Sequence, residues 1–146
     1  MTKFMDLSIA FPRSPKQEMA GLLHLPRMID KGRAYKEKKL ANYIYPCPLD
    51  NIILNFLRIA AEEFANMTRD KKDNEINDWA KEQIESKSQS DLNFINKKIL
   101  ERRPDSEERL DYFNDLRNKI DPSRTDVDTW VDLIDLEEGH LPPKNS

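Results

Sequence analysis

The sequence predicts an all-α fold, a compact bundle of six to eight short helices, and three observations predict it. Leucine is abundant while valine and threonine are scarce, 15 Leu against 2 Val and 4 Thr, whereas sheets are enriched in valine and threonine. Only 3 glycines are present, too few to turn many hairpins. Apolar residues recur at three- and four-residue steps in stretches bounded by capping residues and prolines, the pattern of amphipathic helices. A charged fraction of 35% raises the question of disorder. Leu, Ile, Val and Phe together make about 24% of the chain, above the roughly 20% typical of chains that stay unfolded. At 146 residues a single core is expected. Residues 1–138 are assigned to one domain, and the tail 139–146 is expected to fray.

Each element has its own signal. Ser14-Pro15-Lys16-Gln17 reads as a helix start, with Ser14 as cap and Pro15 at the first helical position. That helix would carry Met19, Leu22 and Leu23 on one face. Pro26 then forces a break and opens a second helix, Arg27 to about Lys39, with Met28, Gly32 and Tyr35 along one side. Residues 40–50 hold two prolines and alternating Tyr43, Ile44 and Tyr45. They predict a short extended segment around Tyr43–Cys47, drawn as a hairpin arm. From Pro48, the residues Leu49, Ile52, Ile53, Phe56 and Leu57 follow helical spacing, and Phe64 and Met67 continue the pattern beyond Ala60-Ala61. Asp73 is the expected cap for Ile76, Trp79 and Ala80, and Ser90 for Leu92, Ile95 and Ile99. Asp105 with Glu108 forms a capping-box pattern before Leu110, Phe113 and Leu116. Thr125 or Asp126 is the expected cap for a last helix with Val127, Trp130, Val131 and Ile134 on its stripe.

Charge narrows the function classes. The net charge is −3, but it runs from +4 over residues 1–50 to −1 over 51–100 and −6 over 101–146. An acidic chain with no basic run interleaved with aromatics disfavours nucleic acid as partner. The basic first third and acidic last third are expected to face one another or to be solvated. No apolar run approaches the roughly 20 residues that span a bilayer, and the start Met1-Thr-Lys-Phe-Met-Asp lacks a signal-peptide pattern. One cysteine, Cys47, excludes an internal disulfide and a multi-cysteine zinc set. A cytoplasmic, soluble protein is expected.

Two motifs carry a resemblance. Leu25-Pro26-Arg27-Met28-Ile29-Asp30-Lys31-Gly32-Arg33-Ala34 and Tyr43-x-Tyr45-x-Cys47-Pro48-Leu49-Asp50 resemble a bacterial family known as domain of unknown function 5069. Pro12-Arg13-Ser14-Pro15, Gly21, Glu101-Arg102-Arg103 and Asp128-x-Trp130-x-Asp132-Leu133-Ile134-Asp135 extend the likeness over nearly the whole chain. The resemblance implies a small soluble bacterial protein and supplies no activity. Where the family carries glycine before the tyrosine, this chain has Lys39-Leu40-Ala41-Asn42. Asn42 is then the residue suited to a left-handed turn.

The candidate ligand-binding residues are Arg27, Asp30, Lys31, Arg33, Tyr43, Tyr45, Cys47 and Asp50, with His24 just upstream. Arg27 and Arg33 have the donor geometry to grip a carboxylate or phosphate, near a helix N-terminus. Their plainer role is structural: Asp30, at three-residue steps from both, pairs with either and ties the helix to the acidic last third. Cys47 is placed as N-cap of the Pro48 helix, where the dipole favours thiolate. Asp50 opposes that by completing the cap, and the small buried side chain is the favoured reading of Cys47. Asp128, Asp132 and Asp135 at helical spacing would share one face, an arrangement for a divalent ion. First-turn acids favouring the dipole account for them more simply. No phosphate loop, nucleophile elbow or zinc-protease motif occurs in the sequence. No catalytic set, metal set or cofactor is therefore assigned. The leading expectation is a non-catalytic binding or protein-interaction module, with a small anionic ligand or a protein as partner. Its rival is an enzyme acting on a small anionic metabolite through Arg, Asp, Tyr and Cys.

Overall fold

The computed structural model describes residues 5–142. Among them are a two-stranded hairpin, β1 (Glu18–Met19) and β2 (Leu22–Leu23), and seven helices. The helices are α1 (Leu25–Lys36), α2 (Pro48–Leu57), α3 (Ala61–Asp70), α4 (Asp73–Gln83), α5 (Gln89–Glu101), α6 (Glu107–Ile120) and α7 (Trp130–Glu137). No helix among the described residues is long and apolar enough to cross a membrane.

The helix expected from Pro15 is replaced by the hairpin. Ala20 and Gly21 both have positive φ, 55° and 81°, the combination a tight two-residue hairpin turn demands. Glu18 pairs with Leu23 and Met19 with Leu22. The apolar spacing of Met19, Leu22 and Leu23 suits either element, and this turn decides between them. The expected arm over Tyr43–Cys47 does not form a hairpin; it is irregular chain with a cis Tyr45–Pro46 bond. Ala41, not Asn42, takes the left-handed conformation, at φ 53°.

Helix α1 is the hub. Every residue from Leu25 to Ala34 is buried, so the helix is enclosed on all sides, although four of these ten carry charge. Met28, Ile29 and Leu25 join Ile53, Phe64, Ile76 and Ile99 in the main core. On another side α1 approaches α3 so closely that a Cβ added at Gly32 would lie 2.8 Å from Thr68 Oγ1. Glycine is what admits this contact. A smaller cluster gathers Phe113, Val127 and Leu133 beneath α6 and α7, with Trp130 edge-on to Phe113 at 5.1 Å.

Several caps fall a few residues from their expected places. Lys72, not Asp73, precedes α4, and Asp73 is its first residue. Ser88 rather than Ser90 caps α5, Ser106 rather than Asp105 caps α6, and Thr129 rather than Thr125 or Asp126 caps α7. Each of these three hydroxyls accepts from the backbone N–H three residues on, which satisfies an otherwise orphaned donor. Because α7 begins at Trp130, Asp128 precedes it and does not share a helical face with Asp132 and Asp135. Asp128 pairs instead with Arg103. Asp132 and Asp135 receive the ammonium of Lys16, and Asp135 also accepts from Ser14 Oγ at 2.8 Å. The first part of the expected tail is bonded: the N–H groups of His140 and Leu141 both donate to Asp135 O. Its end, residues 143–146, lies outside the described residues.

Candidate functional site

The four buried charges of α1 reach four different parts of the molecule. Arg27 donates from both terminal nitrogens to Glu138, just past α7, at 2.8 and 2.7 Å. Asp30 turns away from both neighbouring arginines and accepts from Arg13 side-chain donors and backbone N–H at 2.8–3.0 Å. The sequence expectation that Asp30 pairs with Arg27 or Arg33 is therefore corrected. Those partners face elsewhere around a helix that is buried on every side. Arg33 donates to the carbonyls of Thr68 and Lys71 and pairs with Asp73 at 2.9 Å. Lys31 donates to Asp50 Oδ2 at 2.7 Å.

Five of the eight candidate residues gather, and three do not. Arg27, Lys31, Tyr43, Cys47 and Asp50 lie on the side of α1 that faces α2, the irregular segment and the end of α7. Asp30 and Arg33 serve other faces of α1, so the two arginines form no common clamp. Tyr45 points into the core side, donating to Ala61 O at 2.6 Å with its ring 5.3 Å from that of Tyr35. Tyr43 donates to Glu138 Oε2 at 3.0 Å, and the Arg27 guanidinium sits over its ring at 5.5 Å.

The start of α2 organises the buried polar centre. Cys47 is its N-cap, Pro48 follows, and Asp50 at the third position accepts from the Cys47 N–H at 2.9 Å. Asp50 is wholly buried. Besides Lys31 and Cys47 it meets His24, whose Nε2 lies 2.7 Å from its Oδ1. His24 stands immediately before α1 in a left-handed conformation, φ 74°. Burial alone would raise the Asp50 carboxyl, but the His24 hydrogen bond and the Lys31 charge hold it well below the usual carboxylate range. Burial pushes His24 down, with Lys31 and Arg27 adding to the effect against Asp50. An ionised Asp50 beside a neutral imidazole fixes the tautomer: Nε2 donates, and Nδ1 keeps its lone pair. That Nδ1 is buried and has no hydrogen-bond partner among the described residues.

Above this centre lies an open cleft of about 640 Å³, lined by Arg27, Lys31, Tyr43, Cys47, Glu138 and His24 together with Leu49, Ile134, Phe11 and Ile44. Phe11 and Ile44 are exposed, 56% and 70%, while Arg27 and Lys31 are buried. Burial pushes the Cys47 thiol up, and the Asp50 charge adds to it despite Lys31. The phenols of Tyr43 and Tyr45 are raised as well, by burial first and then by Glu138 and Asp50 respectively.

The sequence placed His24 beside the candidate residues without assigning it to the site, and it gave no indication of Glu138. His24 lies three residues before Arg27 and seven before Lys31, immediately ahead of α1. Glu138 carries no local signal; its link to Arg27 spans 111 residues.

No curated protein matches the chain. A family described as a domain of unknown function, DUF5069, matches residues 9–140, which includes every residue that lines the cleft except Leu7 and Ser8. On that match over nearly its whole length, the chain belongs to the DUF5069 family.

Proposed function

We propose that this chain is a non-catalytic binding module whose cleft takes a small molecule with an apolar body and an uncharged polar head. One observation carries the reading: an open cleft of about 640 Å³ combines an exposed apolar rim with a buried polar floor. Small-molecule sites commonly span roughly 300–1,000 Å³ and pair apolar walls with a few placed polar groups. Phe11 and Ile44 at the rim offer apolar surface that otherwise faces water, and a ligand body would cover it. An anionic head fits less well. Arg27 and Lys31 already hold Glu138 and Asp50, so an anion must displace one of these buried carboxylates.

The catalytic alternative has less support. Three titratable groups of the cleft are driven towards their neutral forms: the Cys47 thiol and Tyr43 phenol upwards, His24 downwards. General acid–base work favours groups tuned to the working pH. Residues 1–138 are read as one domain. The single cysteine supports a cytoplasmic setting, and the family likeness a bacterial one.

The test is thermal unfolding of the purified protein with 1-octanol, octanoate and octylamine, one apolar body with three heads. Octanol is expected to raise the midpoint most. A ligand at a hundred times its dissociation constant adds about 2.7 kcal/mol. Ile44→Asp, at an exposed rim position, should abolish the rise and leave the helical spectrum unchanged. No rise with any of the three, together with a protein captured through the same rim, would replace the small molecule with a protein partner.

A further inference from the structure

We propose that a second groove, where the end of α5 and the first turns of α6 and α7 meet the start of α2, binds a small aromatic monocarboxylate through Arg102. The groove encloses about 400 Å³ and is walled by Ile44, Pro48, Leu49, Tyr112, Trp130 and Ile134, with Arg102 and Arg109 also in its lining. That volume suits a small molecule. Ile44 and Ile134 line the cleft described above as well, whereas Arg102, Arg109, Tyr112 and Trp130 do not. The two spaces are thus served by different charged residues.

Arg102 sets the groove apart. Arg27, Arg33 and Arg124 are buried, and each pairs with a carboxylate. Arg103, next in the chain, pairs with Asp128. Arg102 is half-buried, yet its guanidinium has no hydrogen bond or ion pair among the described residues. Its backbone is fixed against α7, because its carbonyl accepts from the Trp130 backbone N–H at 3.0 Å. A guanidinium partly withdrawn from water without a counter-charge is matched by a carboxylate, which its planar fork meets with two parallel bonds. Arg109 supplies a second cation, and its partner Asp105 is exposed and 3.5 Å away, an ion pair weak enough to exchange. The cleft has no such spare cation, since Arg27 and Lys31 already hold carboxylates.

The walls and the surrounding charge narrow the ligand. Tyr112 is 60% exposed, and the half-buried Trp130 has an indole N–H without a hydrogen-bond partner among the described residues. Two aromatic side chains in one lining favour a flat aromatic body, which gains ring contacts beyond the area it buries. The head is limited to a single charge. Residues 101–146 carry a net charge of −6, and that field opposes phosphates and dicarboxylates more strongly than one carboxylate.

The probe is 1-naphthoate, titrated into the full chain at neutral pH and followed by the indole N–H signals of the two tryptophans in a nitrogen–proton NMR spectrum. The Trp130 signal should shift saturably, while that of Trp79, which packs against Phe64 elsewhere, stays in place. 1-Naphthylmethanol, the same ring without the charge, should bind at least about tenfold more weakly. Arg102→Gln should weaken naphthoate by a similar factor with helical content retained. Arg103→Gln removes the same charge one residue away and should bind like the unmutated protein. Absence of a saturable Trp130 shift, equal affinity for the alcohol, or equal losses in the two arginine variants would overturn the proposal; the comparison of the two probes needs no variant at all. Because Arg102 does not line the cleft, the octanol response should be the same in Arg102→Gln, so failure of one site is read separately from failure of the other.

Discussion

At φ 53° Ala41 holds a backbone conformation in which its Cβ crowds the following carbonyl. The left-handed region costs a non-glycine residue roughly 1–2 kcal/mol, and glycine gives back part of that gain through its freer unfolded chain. Ala41 is exposed, so a change there removes no packing. Ala41→Gly is therefore expected to stabilise the protein by about 0.5–1 kcal/mol, read as a higher midpoint in urea at unchanged slope. A neutral or negative result would mean that the turn is held by its own bonds, of which Tyr43 N–H to Leu40 O at 3.0 Å is the nearest. The sequence pointed to Asn42 because asparagine is the better left-handed residue taken alone. What it lacks is the register of the turn, which the Tyr43 N–H to Leu40 O bond sets with Ala41 as the first of the two central residues. Cys47 and Asp50, by contrast, were legible, because a capping arrangement is contained within four residues.

Among the elements, the junction of α3 and α4 shows why cap residues misled by a few positions. Runs such as Asp73-Asn74, Ser88-Gln89-Ser90 or Asp105-Ser106 offer more than one cap candidate within a few residues, and tertiary partners choose among them. Asp73 leaves the cap to Lys72 and opens α4, where Arg13 and Arg33 both reach it at 2.9 Å. It thereby joins the N-terminal segment and α1 to the start of α4. Burial would raise its carboxyl, but the two guanidinium charges override that and lower it. A carboxyl depressed in the folded state contributes stability above its unfolded pKa, about 3.9. The contribution disappears as pH falls from there through the lower folded value. Asp73→Asn is expected to cost roughly 1 kcal/mol at pH 7, a figure reduced for solvent screening of a partly exposed group. The difference from the unmutated protein should shrink towards zero as denaturation curves are taken below pH 3. A penalty that persists there would assign the loss to the uncharged contacts of the side chain at the start of α4 instead of the charge pairing with the arginines.

For the molecule as a whole, α1 is a charged strut inside an apolar core, and the partners of its charges explain what the sequence could and could not reveal. Its boundaries, its proline and its buried apolar residues are local properties. Glu138 and Arg13 are not, since nothing near Arg27 or Asp30 indicates which remote segment will answer them. The charge gradient along the chain carried the one correct long-range hint: Lys16 meets Asp132 and Asp135, and Arg27 meets Glu138. The last of these links fixes the end of α7 over the cleft. A buried pair of this kind is expensive to break but cheap to replace, because the cost lies in leaving one charge desolvated and alone. Arg27→Met is expected to destabilise by about 3–5 kcal/mol, a large share of the roughly 5–15 kcal/mol that holds a domain folded. Adding Glu138→Leu should recover most of that loss, a coupling that independent sites do not show. Urea denaturation of the two single variants and the double variant measures it. If the double variant loses the sum of the singles, the pair does not act as a unit, and the end of α7 is held over the cleft by its apolar contacts, the Tyr43 hydroxyl and the bonds of Ser14 and Lys16 to Asp135.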